Sequence, residues 1–263
     1  MSKINLNLPE ASFRLQIKDL AEDVRIKFAR KGLSDIFDIL SEAAFLIRKP
    51  LDTDELSGFS TYFERQFIVY LNSNFTLGHE RYTGAHELYH LIYNADTLKR
   101  EKIFLDDEKH KEEDTKADVF ASEFLMPEDY VKEIFYKIVN VDKDSILPRH
   151  IVRIHNYFKV SYKAMLKRLV QIDLCSIDKY EELADICSLK NTKQLQLLTV
   201  REGYDIDLII PSKETYVPKE YIEFVKSNYE RGNISYKNMK NSLEFIGLTP
   251  KQFGYEYPLE EDY

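Results

Sequence analysis

Tyr82-Thr83-Gly84-Ala85-His86-Glu87-Leu88-Tyr89-His90 is the stretch that decides how this chain is read. It contains His-Glu-x-x-His. An α-helix turns once in about 3.6 residues, so positions i and i+4 share a face. His86 and His90 therefore aim at one point, with Ala85, Leu88 and Tyr89 turned elsewhere. Two neutral imidazoles about 2.0–2.1 Å from a common ion form half of a tetrahedral zinc site. Glu87 sits beside the first of them, within reach of a water on the metal without being a ligand. A general base belongs there. Two histidines one turn apart can also arise by accident. With only six histidines in 263 residues, the ligand spacing and the placed glutamate together favour a metal site.

The rest of the chain bounds the setting. An apolar fraction of 44% and an aromatic fraction of 13% (18 Tyr, 16 Phe, no Trp) suit a folded, water-soluble protein. A net charge of −8 argues against indiscriminate binding to DNA or an anionic membrane, and leaves room for a local basic face. No apolar run approaches the roughly 18 residues that span a bilayer. Residues 1–10 lack the apolar segment of a secretory signal, so the expected location is cytoplasmic. Cys175 and Cys187 are then expected as reduced thiols.

Upstream of the motif, Phe13, Leu20, Val24 and Phe28 predict a helix over 12–31 that ends at Gly32. Ser34 is placed to cap a second helix over 35–44, and 44–48 read as a short strand before Pro50. Residues 59–63 and 66–72 predict a hairpin turning at Glu64-Arg65, with the metal helix starting near Thr83. A strand just before such a helix is a natural place for a peptide to add as another strand; it can equally be plain core flooring.

A metal needs a third protein ligand. Lys99–Asp118 is dense in charge, by default a solvated run. From Asp114 to Pro127, however, Ala117, Phe120, Ala121 and Phe124 share a face and predict a second buried helix. Small Ala117 and Ala121 permit close approach to the metal helix. Asp114 and Asp118 lie one turn apart. Asp114 is the preferred third ligand, with Glu113, Glu112 and His110 as competitors. Asp118 is placed to accept a hydrogen bond from a ligand imidazole, or else is simply a favourable helix N-terminal charge.

These two linked motifs resemble the ImmA/IrrE family of metallopeptidases. That family carries an aromatic-Thr-x-Ala-His-Glu-x-x-His helix, then an acidic-x-x-Ala-(Asn/Asp)-x-Phe-Ala helix ending in Leu-Met-Pro. Here they are Tyr82–His90, Asp114-Thr-Lys-Ala117-Asp118-Val-Phe120-Ala121 and Leu125-Met126-Pro127. Ser57-Gly58 and Leu71-Asn72 match the usual lead-in, and the likeness runs over residues 10–170. The resemblance implies one Zn2+ per chain on His86, His90 and Asp114, with Glu87 as catalytic base. Iron or manganese could occupy the same ligands. It also implies a site-specific endopeptidase that cuts a helix-turn-helix repressor encoded nearby, on phages, mobile elements or in stress responses. Two features depart from the pattern. The third ligand is more often Glu, so Asp114 requires closer helices. Tyr89 stands where Gly is common, and its ring must either narrow the cleft or pack behind the helix.

In the second half, Glu128–Val139 predicts a helix and 142–148 a loop. Residues 149–172 read as helix, Val-Ser turn capped by Ser161, and helix, locally basic at Lys159, Lys163, Lys167 and Arg168. Direct DNA contact is one reading; a unit that braces the peptidase core is the favoured one. His150 and His155, five apart, are expected to be structural. Residues 195–210 suggest a small hairpin around Arg201-Glu-Gly, followed by helices over Pro218–Arg231 and from Ile234 to Gly247. The tail from Glu256 is expected to fray.

The expected fold is α+β: a mainly helical zincin-like core with a small antiparallel sheet (1–140), a helix-turn-helix-like segment (141–190) and a C-terminal α/β appendage for partner recognition (191–263). The competing classes are a non-proteolytic metal-containing transcriptional regulator, with a closed site completed by His110 or Glu113, and a module that binds a repressor or toxin without cutting it.

Overall fold

The computed structural model describes residues 11–101, 111–188 and 191–256. The fold is α+β and mainly helical. Helices α1 (Ala11–Ala29) and α2 (Ile36–Ala43) lead into strand β1 (Phe45–Lys49), then β2 (Gly58–Phe63) and β3 (Gln66–Asn72). Asp35 rather than Ser34 caps α2, accepting from the Phe37 amide at 3.0 Å. The β2–β3 hairpin turns at Glu64 and Arg65, whose φ of 45° and 68° are the left-handed values a two-residue hairpin turn needs.

The sheet order is β1-β3-β2. β3 pairs antiparallel with β2 (Gly58↔Leu71 to Phe63↔Gln66) and parallel with β1 (Phe45↔Ile68 to Lys49↔Asn72). The sheet is therefore mixed, not wholly antiparallel as expected. Residues 50–57 carry the chain past one strand width, and the hairpin returns β3 into the gap. Asn72 pins that connection: its side chain accepts from Leu51 N at 2.9 Å and donates to the carbonyls of Leu51 and Leu56 at 3.1 and 2.9 Å. Periodicity reveals strands, but it does not reveal which strand fills a gap.

Helix α3 (Leu77–Tyr93) is capped by Thr76, whose Oγ accepts from His79 N at 3.3 Å. It starts almost two turns before the expected Thr83. Gly78 and Gly84 look like helix breakers in sequence; in the fold they are close-approach points. A Cβ on Gly78 would lie 2.5 Å from Ser161 N, and one on Gly84 would lie 3.1 Å from Leu40 Cδ1. Helices α4 (Ala95–Glu101), α5 (Lys111–Leu125) and α6 (Glu128–Ile138) follow, with α5 against α3. Ala117 and Ala121 are fully buried. The first core joins Ile17, Val24 and Phe28 of α1 to Leu46, Val69, Leu71, Leu88 and Phe120.

Helices α7 (Pro148–Phe158) and α8 (Tyr162–Gln171) follow one another across a short connection, and α9 (Ile177–Ala184) and α10 (Thr192–Arg201) complete a second core around Ile151, Ile154, Met165, Leu166 and Leu169. Arg168 is buried and ion-paired with Glu123 at 2.7 Å. His155 is buried and bonded through Nδ1 to Val160 O at 2.9 Å, and His150 serves α7's own N-terminus. Cys175 and Cys187 are both free thiols.

The hairpin expected over 195–210 is α10 followed by a single 3-10 turn at Asp207–Ile209. Leu195 and Thr199 are buried while Leu197 and Val200 are each 61% exposed, a helical rather than strand-like burial. The C-terminal third is accordingly not α/β: its described residues are helical, with α11 (Lys219–Glu230) and α12 (Tyr236–Phe245) around Val225, Met239 and Leu243. Its extended residues make only isolated bridges, Pro211 to Thr76 and Tyr216 to Arg48. The tail beyond residue 256 lies outside the described residues. Arg48 holds Glu80 of α3 in a buried two-point ion pair (2.7 and 3.1 Å) and reaches Glu214 at 2.8 Å. That network fixes the first turns of α3 to both β1 and the C-terminal segment. No helix among the described residues is long and apolar enough to cross a membrane.

Candidate metal centre

His86 and His90 are one turn apart on α3, and Asp114 comes from the first turn of α5. The Nε2 atoms of the histidines lie 3.1 Å apart. Asp114 Oδ1 lies 3.4 Å from His90 Nε2 and 3.9 Å from His86 Nε2. Ligands about 2.0–2.1 Å from a tetrahedral ion are separated by roughly 3.3 Å, so this triangle has the right size.

Each imidazole is oriented from behind. His86 Nδ1 is 3.0 Å from Asp118 Oδ1, and His90 Nδ1 is 3.0 Å from Asn94 Oδ1. Acceptors there fix the proton on Nδ1 and leave the Nε2 lone pairs facing the shared point. Asp114 Oδ2 is buried without a hydrogen-bond partner among the described residues. A bare buried carboxylate oxygen is unfavourable unless a cation or donor faces it. Burial works to lower the His86 pKa; the Asp118 hydrogen bond and the charges of Glu87, Asp118 and Asp114 outweigh it and raise it. The same negative field suits a divalent cation. The donor set of two imidazoles and one carboxylate fits zinc, and its three groups leave one tetrahedral position open.

The other acidic candidates are occupied elsewhere. Glu113 accepts from Asn94 at 2.8 Å, Tyr89 at 3.2 Å and Lys116 at 2.5 Å. Glu112 pairs with Lys116 at 2.9 Å. His110 lies outside the described residues. Tyr89 packs behind the helix against Tyr93 and Phe120, so its ring does not narrow the cleft. Its hydroxyl joins Asn94 on Glu113, a second layer beneath His90.

Glu87 is buried beside the triangle and accepts a 2.6 Å hydrogen bond at Oε2 from Ser60 Oγ. Ser60 is on β2 and fully buried. Gly58 brings that strand onto α3: a Cβ there would lie 2.7 Å from Thr83 Cγ2. The cleft in front of the site encloses about 560 Å3 and is lined by Ser57, Gly58, Phe59, His79, Tyr82 and the centre itself. Tyr82 donates to Asp118 O at 2.8 Å, and His79 Nε2 lies 2.9 Å from Ser57 Oγ. Ser60, Asn94 and His79 were not singled out in the sequence. Asn94 carries a signal that could have found it, since it stands at i+4 from His90 on the ligand face. Ser60 and His79 carry none that distinguishes them from any inward-facing polar residue.

No curated protein matches the chain. A family model described as Peptidase M78, IrrE N-terminal-like domain, matches residues 42–170, a span that contains β1–β3, both motif helices and the α7–α8 pair. Residues 42–170, just under half of the chain, are thus similar to the IrrE N-terminal-like domain, and that match supports the ImmA/IrrE peptidase family.

Proposed function

We propose that the chain is a zinc-dependent, site-specific endopeptidase whose substrate is a regulatory protein, in the cytoplasm, of the helix-turn-helix repressor class. The observation that carries the reading is the convergence of His86, His90 and Asp114 beside Glu87, with Asp114 Oδ1 toward the two Nε2 atoms and its Oδ2 buried without a hydrogen-bond partner among the described residues. His86 and His90 would hold the ion through Nε2 and Asp114 through its carboxylate. When bound, zinc supplies a Lewis acid that brings the pKa of a coordinated water to near 7 and polarises a carbonyl.

The chain's own residues do the rest. Ser60 occupies Glu87 Oε2, so Oε1 is the oxygen left to take the proton of the attacking water and return it to the leaving amine. Asp118 and Asn94 keep both imidazoles in the ligating tautomer. The substrate backbone would lie along β2, the sheet's terminal strand, whose Gly58 and Phe59 line the cleft. The helix-turn-helix shape serves as a brace in this reading: Arg168 is buried in an ion pair, and Arg81 of α3 donates to Lys159 O at 2.9 Å.

The test uses zinc-loaded wild type and Glu87→Gln added to lysate of the source cells, with new protein N-termini identified by mass spectrometry. Both proteins are expected to bind one zinc, and only wild type to generate new termini in a small set of regulators. Equal cleavage by Glu87→Gln removes Glu87 as the base. Zinc-loaded wild type that produces no new termini removes the peptidase reading and moves a non-proteolytic regulator to the front.

A further inference from the structure

The catalytic cleft does not end at Tyr82. It continues into a second cavity of about 460 Å3, and the two share His79, Tyr82 and Asp118 along their common wall. The extension lies between α3, α5 and α8. From α8 it takes Lys163 and Lys167, i and i+4 on one face, both exposed. Among the described residues no carboxylate lies within 4.0 Å of either ammonium. In a chain of net charge −8 this is a local reversal of sign.

The contrast with Arg168, on the same helix, is informative. Arg168 is turned inward, paired with Glu123 and donating from Nε to Met126 O at 3.0 Å. Its charge is used by the fold; those of Lys163 and Lys167 are not. The other lining groups, Thr115, Ser122, Ser161 and Gln171, are neutral hydrogen-bonding side chains. Ser161 and Lys163 stand at the N-terminal end of α8, where the helix dipole adds positive potential. Lys163 is felt in the cleft: burial first, then its charge, hold His79 below the ordinary imidazole value. At the metal end the cleft is lined by the carboxylates of Glu55, Glu87, Asp114 and Asp118, which repel an anion toward the lysines.

We propose that this arm of the groove is a subsite for an acidic side chain of the bound polypeptide, with Lys163 and Lys167 reading its carboxylate. The inference deepens the peptidase reading and rests on it for the path of the chain through the cleft. Along α3 from His86 back to His79 is about 10 Å at 1.5 Å per residue, or roughly three residues of extended peptide. The acidic residue therefore sits about three positions from the bond that is cut.

The test is a binding measurement on the zinc-loaded full-length Glu87→Gln protein. Fluorescein-labelled decapeptide pools, random except for one position fixed as Asp, Ala or Lys, are titrated by anisotropy. The Asp pool is expected to bind about tenfold more tightly than the Ala pool. Adding Lys163→Glu and Lys167→Glu is expected to abolish that preference and favour the Lys pool, with an unchanged urea midpoint because both lysines are exposed. Equal binding of the three pools overturns the proposal, as does an Asp preference that survives charge reversal. Tight duplex DNA binding lost in the same double variant, with no peptide preference, overturns it in favour of DNA contact by α8. Wild-type turnover on the pools separates the two claims. Asp preference without zinc-dependent cleavage sustains the subsite and removes the peptidase; cleavage without Asp preference does the reverse.

Discussion

Gly78→Ala tests whether the α7–α8 unit is a brace pressed onto the metal helix. The added Cβ would meet Ser161 N at 2.5 Å, Val160 C at 2.7 Å and Ser161 Cα at 2.8 Å. All three obstacles are backbone, so no rotamer change clears them, and the turn must retreat by about 1 Å to reach ordinary contact distance. Overpacking of this kind costs about 1–3 kcal/mol, and a rigid backbone obstacle belongs at the upper end. The retreat also stretches the Arg81–Lys159 hydrogen bond, with a net value of about 1 kcal/mol. Against this stands the helix-propensity gain of Ala over Gly, about 1 kcal/mol. The expected outcome is a loss of about 2–3 kcal/mol in urea unfolding followed by circular dichroism. Gly84→Ala is the control. Its Cβ meets Leu40 Cδ1 at 3.1 Å and Ile36 Cγ1 at 3.3 Å, the ends of side chains that can yield. That variant is expected within about 1 kcal/mol of wild type, the same propensity gain offsetting a softer clash. If Gly78→Ala is as stable as Gly84→Ala, the brace argument is wrong.

Three further outcomes follow from the site and the core. Asp114→Ala should lose the zinc that wild type and Glu113→Ala retain, measured by elemental analysis; retention by Asp114→Ala would mean the third ligand lies elsewhere. Asn94→Ala touches no metal but frees His90 Nδ1, so zinc affinity by competitive chelation should fall roughly 10–100-fold. His155, buried and held neutral, has its pKa lowered to about 4 from 6.5, mainly by desolvation. The unfolded chain therefore takes the proton first, and its stabilising contribution, complete above about pH 6.5, is lost as pH falls toward 4, at about 1.4 kcal/mol per unit. Unfolding titrations should show a flatter slope in that window for His155→Gln; an unchanged slope assigns the acid sensitivity to other groups.

The His86–His90 helix was legible because its message is carried by residue identity at a fixed period, and both are local. The second helix was legible for the same reason: Ala117, Phe120, Ala121 and Phe124 mark a buried face, and Asp114 falls on the turn before it. What the sequence did not show is what packing brings from afar. Ser60 precedes Glu87 by 27 residues and reaches it only because β2 lies on α3 through Gly58. Glu113 and Asp114 are adjacent acids on one helix turn; geometry separates them, since Tyr89, Asn94 and Lys116 hold one while the other faces the histidines. The misreadings share a cause. Leu195-Gln-Leu-Leu-Thr-Val alternates for a few residues yet also satisfies i, i+4, and only the buried neighbours of Leu195 and Thr199 decide for the helix.

The edges of the small sheet give the C-terminal third a physical place in this account. An unpaired strand edge invites any extended peptide, and a three-stranded sheet has two. At β1 the outer edge is occupied: Arg48 and Tyr216 exchange backbone hydrogen bonds of 2.8 and 2.9 Å, and Glu214 and Ser212 close over the Arg48–Glu80 pair. Lys49 further engages Phe245 of α12, through both its carbonyl and its ring. At β2 no described strand lies on the other side, and this is the strand that carries Ser60 to Glu87. Among the described residues the segment after α10 thus covers the edge remote from Glu87 and leaves the edge beside it. Among the described residues the β2 edge is the one left for a peptide to pair with, and on the proposed reading pairing there would bring the peptide backbone toward Glu87.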